Sequence, residues 1–245
     1  MTAGRLIGVG VGPGDPELLT LKAIRAIEGA DVVAFFAKAG NRSHARGVVA
    51  DRLGRAVELP LAYPVTTELH RHDPRYREAI AGFYETATAA IAAHLEAGRT
   101  VAVLAEGDPL FYGSYMHLHC RLAPRFAAEI VPGVTGMSGA WSQAGVPIAQ
   151  GDDVTTILPG TLDEAELARR LADCDAAIVM KLGRNLAKVR RAVEAAGKLD
   201  RALYVERASH ADARVLPLAD VAEGDAPYFS IALVPGWSGA AGSEG

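Results

Sequence analysis

The stretch IGVGVGPGDPELLTLKA, Ile7 to Ala23, sets glycine at positions 8, 10, 12 and 14, then reaches Asp15-Pro16 and a helical pattern. An apolar strand that ends in glycines and runs into a capped helix is the outline of a nucleotide-binding turn. The dinucleotide fingerprint does not fit it. The third glycine of that fingerprint would fall at position 13 or 15, which hold Pro13 and Asp15. The ribose-binding acid should close the second strand, whereas Asp31 opens it. No Gly-Lys-Ser/Thr follows, so the phosphate-loop pattern fails as well. Asp15 reads as an N-cap and Pro16 as the first helical residue. A carboxylate there takes the place that an anionic phosphate would want.

Two further turns repeat the design. In VLAEGDPLFYGSY a strand ends at Glu106-Gly107-Asp108-Pro109, and Asp108-Pro109 again reads as N-cap and first helical residue. In EIVPGVTGMSGAWS, Pro132-Gly133 closes a strand and Thr135 stands where a helix cap is expected. All three turns fall at C-terminal ends of strands, where open α/β sheets bind ligands. Carboxylates and backbone without a phosphate cradle suit a neutral or cationic ligand.

Around these turns the chain reads as α/β. Strands are expected at 5–10, 31–36, 57–59, 100–105 and 128–131, with helices at 17–28, 44–53, 75–97 and 112–122 between them. Continuous apolar strands separated by helices predict a mostly parallel sheet covered on both faces. After the helical stretch 135–144 the pattern restarts, with strands at 153–158, 176–180, 202–206 and 228–234 and helices at 163–171 and 185–196. The expected division is an N-terminal α/β domain over 1–132 and a smaller α/β domain over 133–245. The Gly, Ala and Ser tail 238–245 is expected to be flexible.

The chain has 245 residues, half of them hydrophobic, which is enough for a sizeable core. A net charge of −4 gives no global basic field for nucleic acid. No apolar run reaches the ~20 residues that span a bilayer, and the N-terminus lacks the form of a secretory signal. Two cysteines, Cys120 and Cys174, make no disulfide framework, which fits a reducing cytoplasm.

The segments VGVGPGDPELLTLKA, AEGDPLFYGSY, VPGVTGMSGAWSQAGVPI and YFSIALV resemble, in this order, the tetrapyrrole methyltransferases of cobalamin and sirohaem synthesis. The segments FFAKAG, GDPLFYGSYMHL, LPGT and VMKLGRNLAKVRRA look most like the branch that methylates carbon 20 of precorrin-2. Relatives that take cobalt-factor II are the alternative, and RNA methyltransferases of the same fold are a more distant one. The resemblance implies a homodimer of two-domain α/β chains with S-adenosylmethionine in an interdomain cleft, leaving as S-adenosylhomocysteine. No metal, membrane or nucleic-acid partner is expected. Pro13 matches a cofactor-contacting position, and Gly107 and Asp108 match members of the family's Gly-Gly-Asp-Pro loop. Glu106 replaces the first glycine of that loop. Phe111, Tyr112, Gly113 and Ser114 follow within it, and Thr135 and Gly136 match the Thr-Ala pair after the third turn. Leu182 stands where many relatives have Met, and Ala208 where many have Gly, so backbone contacts are implied there rather than side-chain ones.

Precorrin-2 carries acetate and propionate arms, and Arg42, Arg46, Arg71 and Arg75 are the candidate partners for its carboxylates. Arg71 lies in ELHRHDPRYRE, which also reads as a solvated polar loop. No indispensable catalytic base is expected; Glu106 and Tyr112 are the candidates for polar groups near the reaction. His117-Leu118-His119-Cys120 is not a metal cluster, because i and i+2 point to different faces of a helix. Met137-Ser138 misses the hydrolase elbow, Trp141 reads as packing, and Asp152-Asp153 as solvent-facing.

Overall fold

The computed structural model describes residues 4–38, 40–64, 73–222, 224 and 226–236. The chain divides into two compact units, residues 1–135 and 136–245.

The first unit runs β1 (Arg5–Gly10), a 3-10 turn at Pro16–Leu18, α1 (Leu21–Glu28), β2 (Val32–Lys38), α2 (His44–Val48) and β3 (Val57–Tyr63). It continues with α3 (Pro74–Glu96), β4 (Val101–Ala105), α4 (Tyr115–Leu122) and β5 (Ala127–Val131). The sheet order is β3-β2-β4-β1-β5 and every pairing is parallel. Successive strand residues face opposite sides, and both sides are covered. Leu6, Val32, Val101 and Val103 pack with Phe83, Ile91, Leu95 and Leu118 of α3 and α4. Ile7, Val9, Val33 and Leu104 pack with Ala23, Ile27 and Ala45 of α1 and α2. β1, β2 and β4 are buried on both faces over Leu6–Gly10, Val32–Phe35 and Val101–Ala105, which is why these runs are apolar.

Four elements differ from expectation, among them the helix expected at 44–53, which ends at Val48 and gives way to a 3-10 turn at Ala50–Arg52. β3 runs on past Leu59 through Pro60 to Tyr63. It is an edge strand, where a missing ladder donor is tolerated. The expected helix 17–28 is two pieces, because Thr20 caps α1 by accepting from the Ala23 amide while Asp15 caps only the preceding 3-10 turn. The expected helix 112–122 begins instead at Tyr115, since Tyr112 sits at φ 52 and cannot be helical.

The second unit contains α5 (Gly136–Ala144), β6 (Thr155–Pro159), α6 (Glu164–Ala172), β7 (Ala176–Met180), α7 (Leu186–Ala195), β8 (Leu203–Glu206), β9 (Arg214–Pro217) and β10 (Ser230–Val234). Its sheet is mixed, in the order β6-β7-β10-β8-β9, with only β6–β7 parallel. α6 and α7 cover one face through Leu167, Leu171, Val189 and Val193. Met137, Ala140 and Trp141 of α5 pack against Ile178, Val205 and Leu233 on the other. Lys198 is buried, and its ammonium is satisfied by the carbonyls of Leu171 and Cys174. The expected flexible tail lies outside the described residues.

Candidate functional site: three turns knitted together

The C-terminal ends of β1, β4 and β5 lie side by side in the first sheet, and the turns that follow them are hydrogen-bonded to one another. Val11 N–H donates to the Ala105 carbonyl at 2.9 Å. Gly12 and Gly107 exchange both backbone bonds, at 2.8 and 3.3 Å. Asp108 accepts from Leu110 N–H with one carboxylate oxygen (2.9 Å) and from Gly133 N–H with the other (3.3 Å), tying the second turn to the third.

This packing explains the glycine spacing. A Cβ on Gly10 would lie 2.5 Å from the Gly133 nitrogen and 2.6 Å from the Gly107 oxygen, so three main chains meet where no side chain fits. A Cβ on Gly8 would run into the ring of Tyr115, a fully buried residue of α4. The amides that could have cradled a phosphate are held by carboxylates: Glu17 N–H by Asp15 at 2.8 Å, and Leu110 and Gly133 N–H by Asp108. A phosphate would meet negative charge at each of these positions.

Pro13 lies between Gly12 and Gly14 in the first turn. Glu106, Gly107, Asp108, Phe111, Tyr112, Gly113 and Ser114 form one continuous loop from β4 to α4. The Phe111 and Tyr112 rings are 4.8 Å apart, and Tyr112 is exposed. Its left-handed backbone is costly for a bulky residue, by ~1–3 kcal/mol, and strain of this kind collects at functional loops. Glu106 is exposed to solvent, yet surrounding protein desolvates its carboxyl and pushes it up to about 7, against the opposing pull of the Ala45 amide of α2. Thr135 ends this unit at the threshold of α5.

Gly136, Leu182 and Ala208 belong to the second unit. Leu182 is fully buried in the core beneath α6 and α7, so its side chain is structural. Ala208 packs with the α5 cluster. Both sit beside left-handed residues: Lys181 at φ 60, Arg207 at φ 49 and Ser209 at φ 67. Gln143 of α5 receives the Ser209 amide at 3.3 Å, a contact that no sequence motif announced.

The arginines are less uniform than the sequence suggests. Arg46 forms a two-pronged pair with Glu58, at 2.9 and 3.0 Å. That hydrogen bond holds Glu58 below the usual carboxylate range. Arg75 forms another with Asp73, the N-cap of α3, at 2.8 and 3.1 Å. Arg42 is exposed on the loop after β2, and Arg71 lies outside the described residues. The His117 ring lies 4.5 Å from that of Tyr84 at a tilt of 39°, while His119 Nδ1 is 3.2 Å from the Tyr115 hydroxyl, so the two imidazoles serve different neighbours. Among the described residues no helix is long and apolar enough to cross a membrane.

The comparisons assign this two-unit α/β architecture to a class of methylases. Residues 5–222 match the model of the tetrapyrrole (corrin/porphyrin) methylases, and the chain belongs to that family. It is 62% identical to the precorrin-2 C(20)-methyltransferase of a Sinorhizobium species over 96% of both chains. It is 29% identical to the cobalt-precorrin-2 C(20)-methyltransferase of Salmonella typhimurium, over 94% of this chain and 96% of that protein. Uroporphyrin-III C-methyltransferase of Thermus thermophilus, solved with S-adenosyl homocysteine, shares the fold with a TM-score of 0.66 at 24% identity. That match covers 94% of this chain and 97% of the other.

Proposed function

We propose that this protein transfers the methyl group of S-adenosylmethionine to carbon 20 of precorrin-2, giving precorrin-3A in cobalamin synthesis. The observation that carries the reading is the set of three knitted turns whose phosphate-binding amides are already held by Asp15 and Asp108. Such turns suit a ligand with adenosine and a sulfonium but no phosphate. Pro13, Gly107, Asp108, Phe111, Tyr112, Gly113, Ser114, Thr135 and Gly136 would hold it, with backbone from Leu182 and Ala208. The 62% identity to a precorrin-2 C(20)-methyltransferase supports the choice of substrate.

S-adenosylmethionine supplies an electrophilic methyl whose thioether departs without protonation. Nitrogen lone pairs of the macrocycle push density onto the meso carbon, so the substrate brings its own nucleophile, and a proton leaves that carbon or a ring nitrogen to solvent after the new bond forms. The residues of this chain then have chiefly to align carbon, methyl and sulfur, which can supply ~7–11 kcal/mol. Glu106 and Tyr112 orient ligands or balance charge, and neither is an indispensable base. Arg42 leads the carboxylate-binding candidates, because Arg46 and Arg75 are already engaged by Glu58 and Asp73. The protein works in the cytoplasm as a homodimer, which light scattering on the purified protein checks. The decisive experiment incubates it with labelled S-adenosylmethionine and precorrin-2, cobalt-factor II or ribosomal RNA. Label must enter precorrin-2 fastest; faster transfer to either other acceptor overturns the assignment.

A further inference from the structure

We infer that Tyr63 is a positioning residue for the second turn, holding it in its cofactor-binding shape through Ser114. The inference rests on the reading above, which makes that turn part of the cofactor site.

Ser114 occupies the N-cap position of α4, where serine is favoured because its hydroxyl can accept a helix amide. Here it makes no such bond, and its backbone is already helical at φ −68 and ψ −25. Its hydroxyl accepts instead from the Tyr63 hydroxyl. Tyr63 is the last residue of β3, beside Lys38 of β2 in the register. Its ring is wedged between Phe36 (centroids 5.7 Å apart) and Phe83 (4.2 Å), and its hydroxyl is 3.3 Å from that of Tyr84. Two phenylalanine rings and a second phenol therefore fix where the Tyr63 hydroxyl lies.

The loop from Gly107 to Gly113 is thus clamped at both ends. Its start is pinned by the bonds between Gly12 and Gly107, and its exit by Tyr63 through Ser114. The loop holds two left-handed residues, Gly107 at the first clamp (φ 64) and Tyr112 between the two (φ 52). Strain at Tyr112 persists only if the flanks over-determine it. Tyr63 supplies the far constraint, which a cap to α4's own amides would not: such a bond would be local and would leave the loop exit free of β3.

Tyr63→Phe keeps the ring and its packing while removing the donor. Titration calorimetry with S-adenosylhomocysteine should show about tenfold weaker binding, equivalent to about 1.4 kcal/mol, with a thermal midpoint close to native. Ser114→Ala should show the same loss. The double variant Tyr63→Phe/Ser114→Ala should be no weaker than either single one, because both remove one interaction. Binding by Tyr63→Phe within twofold of native, with or without a lower midpoint, overturns the inference. So do losses that multiply in the double variant. If the native protein fails to bind S-adenosylhomocysteine, the functional reading falls and takes the inference with it; native binding with an unaffected Tyr63→Phe removes the inference alone.

Discussion

Replacing Gly10 by alanine adds one methyl group at the point where three main chains meet. Gly10 is not among the left-handed glycines, so alanine suffers no dihedral penalty there and any cost is steric. Its Cβ would stand 2.5 Å from Gly133 N, 2.6 Å from Gly107 O and 2.7 Å from Gly133 Cα. All three are backbone atoms and cannot rotate away. Reaching ordinary contact at 3.4 Å requires the neighbouring turns to retreat by roughly 0.9 Å. Overpacking of this kind costs ~1–3 kcal/mol. A shift near 1 Å in a positioning element can also cost ~10²-fold in rate. Gly82→Ala is the control: it adds the same methyl to the middle of α3, where nothing lies within 4 Å. Relief of the glycine helix penalty should stabilise that variant by ~0.8–1 kcal/mol. Urea unfolding should therefore show opposite signs for one chemical change, with calorimetry showing weaker S-adenosylhomocysteine binding for Gly10→Ala alone. If Gly10→Ala loses less than about 0.5 kcal/mol and binds normally, the close approach of the turns is not a real constraint.

Gly107→Val puts a β-branched side chain at φ 64 and should weaken cofactor binding by more than about tenfold, ~1.4 kcal/mol; unchanged calorimetric affinity in a folded variant contradicts the placement. Because the Glu106 carboxyl is raised from 4.5 to about 7 in the native state, its contribution is fully present below pH 4.5 and is lost as pH climbs to 7. Glu106→Gln should thus be more stable than native at pH 8, by no more than about 1 kcal/mol since water reaches the group, and the gap should close by pH 4.5. A gap that does not change with pH argues against the desolvated carboxyl. Arg42→Ala should raise the KM for precorrin-2 more than Arg46→Ala or Arg75→Ala, whose guanidiniums are already paired, and added salt should raise KM in the native enzyme. The reverse order would mean that the Glu58 and Asp73 pairs open for substrate.

The parallel sheet was readable because its strands are buried on both faces and carry long apolar runs, as in Val32–Ala34 and Val101–Ala105. Three turns at one end of it were readable from Asp-Pro and Gly-rich spacing. Their bonding to one another was not, since Gly12, Gly107 and Gly133 are brought together by strand order rather than by local sequence. Local rules also misled where two signals compete. Asp15-Pro16 and Thr20 are both caps, and the chain uses both, breaking one expected helix into two. The edge strand β9, Arg214–Pro217, escaped notice because it is short and mostly exposed, without apolar periodicity. The antiparallel place of β10 between β7 and β8 has no sequence signature at all. Tyr63 lies four residues beyond the strand expected at 57–59, and only pairing with β2 in register carries β3 through Pro60 to reach it.

The strand order has a consequence for how the chain is made. β1 emerges first from the ribosome, yet both its partners come late: Leu6 pairs with Val101 on one side and Ala128 on the other. Some 95 residues must be added before the first of these appears, which takes between about 5 and 20 seconds at ordinary elongation rates. During that interval β2 and β3 can pair with each other, but the strand carrying the first glycine turn has no neighbour in the sheet. The nascent protein therefore carries an unpaired apolar strand for seconds, and its sheet closes only when β4 inserts between β1 and β2. That late insertion makes β4 the expected commitment step of folding and the interval before it the time when aggregation competes most strongly.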